Sequence, residues 1–185
     1  MNTRIQDRVN GLTELVVNKL IKIWEKFKHV RLHLSIDDLF ERNDYIRYGS
    51  NWENIMSNFE KIIKYKEIFR IEVCQTVSLL NVHNIDQFKL FFQKYGVIIA
   101  HNYVHHPTFL HVSNLPQELK DEIINNTPTL REDELNRLKS ELNRETDQND
   151  IVKFYEFIRL LDVKRNVKID NYLKTLKTAV KVMLF

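Results

Sequence analysis

The chain has one cysteine, three glycines and three prolines among 185 residues. A single Cys74 excludes an internal disulfide and an all-cysteine metal site within these residues. So few glycines and prolines argue against an all-β fold built on many tight turns, and against a disordered chain. No apolar run of about 18 residues occurs, so no membrane-spanning helix is expected. The opening MNTRIQDRVNG is polar and does not read as a signal peptide, which points to a cytoplasmic protein. Dense Lys/Arg tracts are also missing. With 28 basic and 25 acidic residues the charge is near balance, so no nucleic-acid partner is expected.

What is there is enough for one domain with a real core: 43% of residues are hydrophobic and 29% charged. Leu12, Leu15, Val16, Leu20, Ile23, Trp24 and Phe27 recur at helical intervals. In HVRLHLSID, Val30, Leu32, Leu34 and Ile36 alternate with Arg31, His33, Ser35 and Asp37, the pattern of a strand with one apolar and one polar face. A polar loop follows. Ser50 and Glu53 form a capping box for a second helix through Trp52, Ile55, Phe59 and Ile62. FRIEVCQTVSLLN reads as a second strand. Asn84 suits the cap of a third helix that Gly96 would end, and VIIAHNY reads as a third strand. Pro116 fits the first turn of a further helix, Thr129 and Glu132 form a second capping box, and Ile151, Phe154, Tyr155, Ile158 and Leu161 trace a last helix.

Strands separated by helices imply parallel βαβ units with right-handed crossovers. The fold class expected is α/β: a partial (β/α) barrel of about three parallel strands over residues 1–112, then an all-helical segment over 113–185. Three strands cannot close a barrel, so open sheet edges are expected. His33, Ser35 and Asp37 would point inward near the C-terminal end of their strand, where parallel α/β folds place their sites. Thr76, Ser78 and Asn81 end the second strand, as ligand contacts or as turn-forming caps.

The segment VRLHLSIDDLFERNDYIRYGSNWENIMSNFEKI resembles the fourth strand and following loop of radical SAM enzymes, above all the twitch-domain and peptide-modifying group. There the strand ends in Ser-Ile-Asp-Gly, followed by a Glu-Arg-x-x-Tyr-Ile-Arg run and an Asn-Trp pair near the next helix. TVSLLN and HNYVHHPTFLHVSNLP resemble the ends of the fifth and sixth strands, and FYEFIRLLDVKRN a C-terminal helix; the likeness covers roughly Asn2 to Asn166. It implies that Ser35 and Arg47 contact S-adenosylmethionine, with Thr76, Asn81, Asn102 and Val104 lining the same cofactor and Asp37 facing substrate. The chemistry is sound for these residue types: a guanidinium meets a carboxylate in a bidentate, charge-assisted contact, and a hydroxyl both donates and accepts. The other reading of Arg47 is a structural pair with Asp37, Asp38 or Asp44.

Three positions depart from the resemblance. Asp38 stands where glycine is usual, Phe40 where a second glycine is common, and Gly49 where proline is common. The Cys-x-x-x-Cys-x-x-Cys motif that holds the 4Fe–4S cluster is absent, and Met1-Asn2-Thr3 looks like the end of the third strand. The resemblance therefore implies the C-terminal half of a barrel, inactive alone, with a cluster-bearing N-terminal half as partner and a peptide or small molecule as substrate. The alternative is a non-catalytic binding or scaffold remnant that associates through its open sheet edges.

His101, His105, His106 and His111 crowd a short stretch. Zinc accepts imidazole nitrogens, but the spacing matches no established zinc pattern, and a solvated loop is the simpler expectation, with no metal site assigned. Cys74 is expected as a buried, inert thiol. REDELNRLKSELNRETDQND reads as an exposed helix face and loop. The basic, amphipathic YLKTLKTAVKVMLF suits a docking helix or a membrane surface.

Overall fold

The computed structural model describes residues 3–5 and 14–169. The chain is α/β. A short strand β1 (Thr3–Ile5) precedes helix α1 (Glu14–Trp24), strand β2 (Val30–Ser35), helices α2 (Phe40–Ile46) and α3 (Trp52–Ile62), strand β3 (Phe69–Val77), helix α4 (Ile85–Gln93) and strand β4 (Ile98–Tyr103). Helices α5 (Gln117–Asn125), α6 (Glu132–Leu142) and α7 (Gln148–Arg165) follow. The strands form one open sheet in the order β1-β2-β3-β4. β1, β2 and β3 run parallel, with Val30 opposite Phe69 and Ser35 opposite Cys74. The expected strand–helix alternation and helical C-terminal segment are therefore present. Among the described residues no helix is long and apolar enough to cross a membrane. The tail from Tyr172 lies outside the described residues.

Two compact units are distinguished: residues 1–76 with 90–101, and residues 77–89 with 102–185. In the first, the period-2 pattern does what it predicts. Leu32, Leu34, Ile36, Phe69, Ile71 and Val73 are buried and form the apolar sheet face. Helices supply Val17, Ile21, Trp24, Ile55, Phe59 and Ile62 to the same core. Trp24 stands edge-on to Phe69 at 6.1 Å, and Phe59 meets Phe92 at 5.4 Å. Each such aromatic pair is worth about 0.5–1.5 kcal/mol beyond its buried area. The opposite sheet face is polar and not fully covered. Arg31, Arg70 and Thr76 are exposed, while His33, Ser35, Glu72 and Cys74 are half-buried.

The second unit holds the helical segment. Val112, Leu138, Leu142 and Phe154 are buried in it, and Phe109 packs on Phe157 at 5.2 Å. Its polar ties are long-range. Lys89 pairs with Glu134, and Asp86 Oδ1 accepts both the N–H (2.8 Å) and the hydroxyl (2.7 Å) of Thr129.

Local capping differs from the sequence expectation at three places. Ser50 does not cap α3: its hydroxyl donates to Asp44 Oδ1 at 2.8 Å, and Asn51 Oδ1 accepts the Asn54 N–H at 2.9 Å instead. Thr129 does not cap α6, because Asp86 holds it; the box there joins the Arg131 N–H to Glu134 at 2.8 Å. Asn84 lies inside a 3-10 turn, Val82–Asn84, that leads into α4. Gly96 follows α4 with φ 69°, the left-handed conformation that favours glycine.

Candidate functional site

The polar loop expected after β2 contains the helix α2, seven residues long. Its fully buried Asn43 explains the fold of the strand exit. Asn43 Oδ1 accepts the N–H groups of Asp37 (3.0 Å) and Asp38 (3.4 Å), two donors that would otherwise be stranded beyond the sheet. Asp38 Oδ1 accepts the Leu39 N–H at 2.7 Å and pairs with Arg42 at 3.1 Å. The left-handed residue of this loop is Phe40, with φ 56°, and not Asp38. Phe40 thus stands, in a glycine-like conformation, where the resemblance has a glycine. Gly49 has φ 86°, out of reach of the proline common at that place.

This frame sets Asp37 at the C-terminal edge of the sheet. The side chain is buried, and its Oδ1 accepts the Thr76 N–H at the end of β3 (2.8 Å). Arg47 closes on the same carboxylate: Nη2–H donates to Oδ1 at 3.2 Å, and Nε lies 2.7 Å from Oδ2. Nε is off the hydrogen-bond direction, so that second contact is ionic rather than a directed bond. The Arg47 side chain remains a quarter exposed. Gln75 anchors the edge from below the pair. Its Nε2 donates to the Asp37 carbonyl (2.9 Å) and its Oε1 meets His101 Nδ1 (2.8 Å).

The structure therefore brings together Ser35, Asp37, Arg47 and Thr76 at the ends of neighbouring parallel strands. Of the other residues implied by the resemblance, Asn81 is fully buried and its Oδ1 accepts the Ser78 N–H at 2.7 Å, a turn role. Asn102 is exposed on β4, and the Val104 N–H donates to the Val77 carbonyl at 2.9 Å. Cys74 is half-buried on the polar face, not packed as an apolar thiol; the register sets it opposite Ser35 and diagonal to His33, with Sγ 3.5 Å from Nδ1 and Glu72 within reach of both.

The histidine-rich stretch splits. His101, in the first unit, is buried; in the second unit His105 and His106 are exposed and His111 is buried. His105 and His111 rings stack at 5.5 Å, and His111 Nε2 lies 3.2 Å from Glu141 Oε2 on α6. Burial pushes the His111 imidazole below its ordinary pKa, although Glu141 pulls the other way. Tyr103, buried nearby in sequence, is pushed up to about 12 for the same desolvation reason. Glu141 was invisible to sequence reasoning: it sits 30 positions from His111, in a stretch read as a solvated face.

No protein-family model, curated protein or solved structure matches the chain.

Proposed function

We propose that these residues form the C-terminal part of a radical SAM-like (β/α) barrel of the twitch or peptide-modifying kind, contributing one wall of a S-adenosylmethionine and substrate site. The observation that carries this reading is the polar sheet face ending in Ser35, Asp37 and Thr76. Purely parallel sheets are almost always covered on both faces. Here one face is apolar and buried, while the other carries polar, half-exposed groups to the C-terminal strand ends. That is how a barrel half offers its lumen.

The donor set suits the amino-acid end of the cofactor. Asp37 holds Arg47 through Nε and Nη2. Nη1 makes neither contact, so the guanidinium is oriented and still has an edge for a ligand carboxylate. Ser35 supplies a hydroxyl at the end of β2, two residues before Asp37. In this reading Asp37 faces substrate mainly through the arginine it positions. The chain's residues do not fit an iron–sulfur cluster, which takes three cysteine thiolates in this family, since Cys74 is the single cysteine. The cluster, and the electron it supplies, must come from outside these residues, from a cluster-bearing N-terminal half. A cytoplasmic location belongs to the same reading, because a reducing compartment keeps both a cluster and a free thiol intact.

The test is calorimetric titration of S-adenosylmethionine into the chain, alone and mixed with a cluster-bearing N-terminal half, followed by an anaerobic assay for 5′-deoxyadenosine. Binding that appears on mixing and is lost in Arg47→Ala is expected. Absence of binding in both arms would sink the proposal. If the mixed halves associate without binding the cofactor, the scaffold reading takes its place, since the same half-exposed face also suits a purely associative role.

A further inference from the structure

Next to the loop after β4, a cavity of about 690 Å³ lies wholly within the second unit. Its wall includes His105, His111, Arg144, Asp147 and Asp150, and Glu141 borders the two imidazoles. We propose that His105, His111 and Glu141 form a divalent transition-metal site, zinc first, with its fourth position open to this cavity. The site is independent of the cofactor reading above.

Three observations carry it. The first is composition: two imidazoles and one carboxylate, each offering one ligand atom, lie within 4.8 Å of one another. Two histidines and a glutamate are an established zinc set that leaves one position for water or substrate. The second is spacing. A tetrahedral zinc with bonds of about 2.0–2.1 Å sets its ligand atoms about 3.3 Å apart. His111 Nε2 and Glu141 Oε2 are already 3.2 Å apart. His105 is exposed, so its ring can close the remaining distance by side-chain rotation.

The third is a cation already in the place. Arg144 Nη1 donates to His105 Nδ1 at 2.7 Å and to Glu141 Oε2 at 3.2 Å, so one guanidinium nitrogen bridges two of the three ligands. Lone pairs and a carboxylate converge there on positive charge. The Arg144 side chain is about half exposed (52%) and can swing into solvent as a metal enters. Metal binding at Nε2 needs the proton of His111 on Nδ1. Ser113 Oγ lies 2.7 Å from His111 Nδ1 and can accept a proton held there, leaving the lone pair on Nε2 for the metal. The Ser113 N–H, which donates to Nδ1 at 3.2 Å without metal, is the contact given up.

The experiment is titration of zinc chloride into the tag-free full chain by calorimetry, with cobalt(II) absorption as the reporter of tetrahedral coordination. One equivalent should bind. His105→Ala and Glu141→Gln should each weaken it by at least about tenfold. Arg144→Gln should tighten it by removing the competing cation. His106→Ala, which changes a neighbouring imidazole on the same cavity, and Cys74→Ser, which breaks the His33–Glu72–Cys74 group, should leave it unchanged. No binding at high micromolar zinc overturns the proposal, as does binding that survives His105→Ala or is lost in His106→Ala or Cys74→Ser. Far-UV circular dichroism accompanies each variant; should Glu141→Gln unfold, the exposed His105 decides the matter.

Discussion

Asp37 and Arg47 form an ion pair at the exit of β2, and the same Asp37 oxygen that accepts from Arg47 also accepts the Thr76 N–H from β3. One carboxylate thereby joins the loop after one strand to the end of the next. Removing Arg47 leaves Asp37 short of its counter-ion; removing Asp37 also strands a backbone donor. Asp37→Ala is therefore expected to cost more than Arg47→Ala in urea denaturation. The double-mutant coupling should be about 1–3 kcal/mol, the range for a charged hydrogen-bonded group losing its partner.

Asn43 offers a sharper test of the strand exit. It accepts from two backbone N–H groups and donates through Nδ2 to Ser50 at 3.4 Å. Asn43→Leu keeps the size and removes every one of these bonds. Two buried donors are orphaned, so a loss of about 2–5 kcal/mol is expected by thermal or chemical unfolding. Asn43→Asp restores the acceptor but adds a charge beside Asp37 and Asp38, and it should not rescue stability at neutral pH.

Phe40 reverses the usual size rule. Its ring lies 5.5 Å from Trp52 and 6.0 Å from Phe91, yet its backbone is left-handed. Left-handed backbone costs an L-residue roughly 1–2 kcal/mol, and a β-branched one more. Phe40→Gly loses the ring and gains that strain back. Phe40→Val loses most of the ring and keeps the strain. The valine variant should melt below the glycine variant, although valine retains more apolar surface.

The Lys89–Glu134 pair gives a pH signature. Burial raises the Glu134 carboxyl, but hydrogen bonds from Lys89 and the Arg131 N–H, with both cations' charges, outweigh it and hold the carboxyl below the ordinary glutamate range. A depressed folded-state value means the stabilisation is complete above the unfolded value of about 4.3 and is lost as pH falls through the folded one. The melting-temperature gap between the native chain and Glu134→Gln should be widest near neutrality and shrink below about pH 4. A gap that holds constant down to acid pH would show that the pair is not the source.

How much of this was legible beforehand follows the reach of each signal. The alternation in VRLHLS marked its apolar sheet face residue by residue, because period 2 is written into consecutive positions. Helix α2 was missed, since FERNDYI buries Asn43 and Tyr45 rather than an apolar stripe. The capping boxes at Ser50 and Thr129 were read from spacing alone, and both residues proved to be taken by aspartates, Asp44 and Asp86. A cap is a competition among donors for nearby acceptors, and a competitor 43 positions away leaves no trace in a four-residue motif.

The sequence by itself determined the alternation of helices and strands apart from α2, the buried face of β2, and the presence of Ser35, Asp37 and Thr76 at strand ends. Hydrophobic burial is set by periodicity, which is local. Only the tertiary structure decided that Asp37 holds Arg47 and Thr76 together, that Cys74 stands beside His33, and that Glu141 reaches His111. Those are choices among polar partners, made by distance in space after the apolar faces have closed.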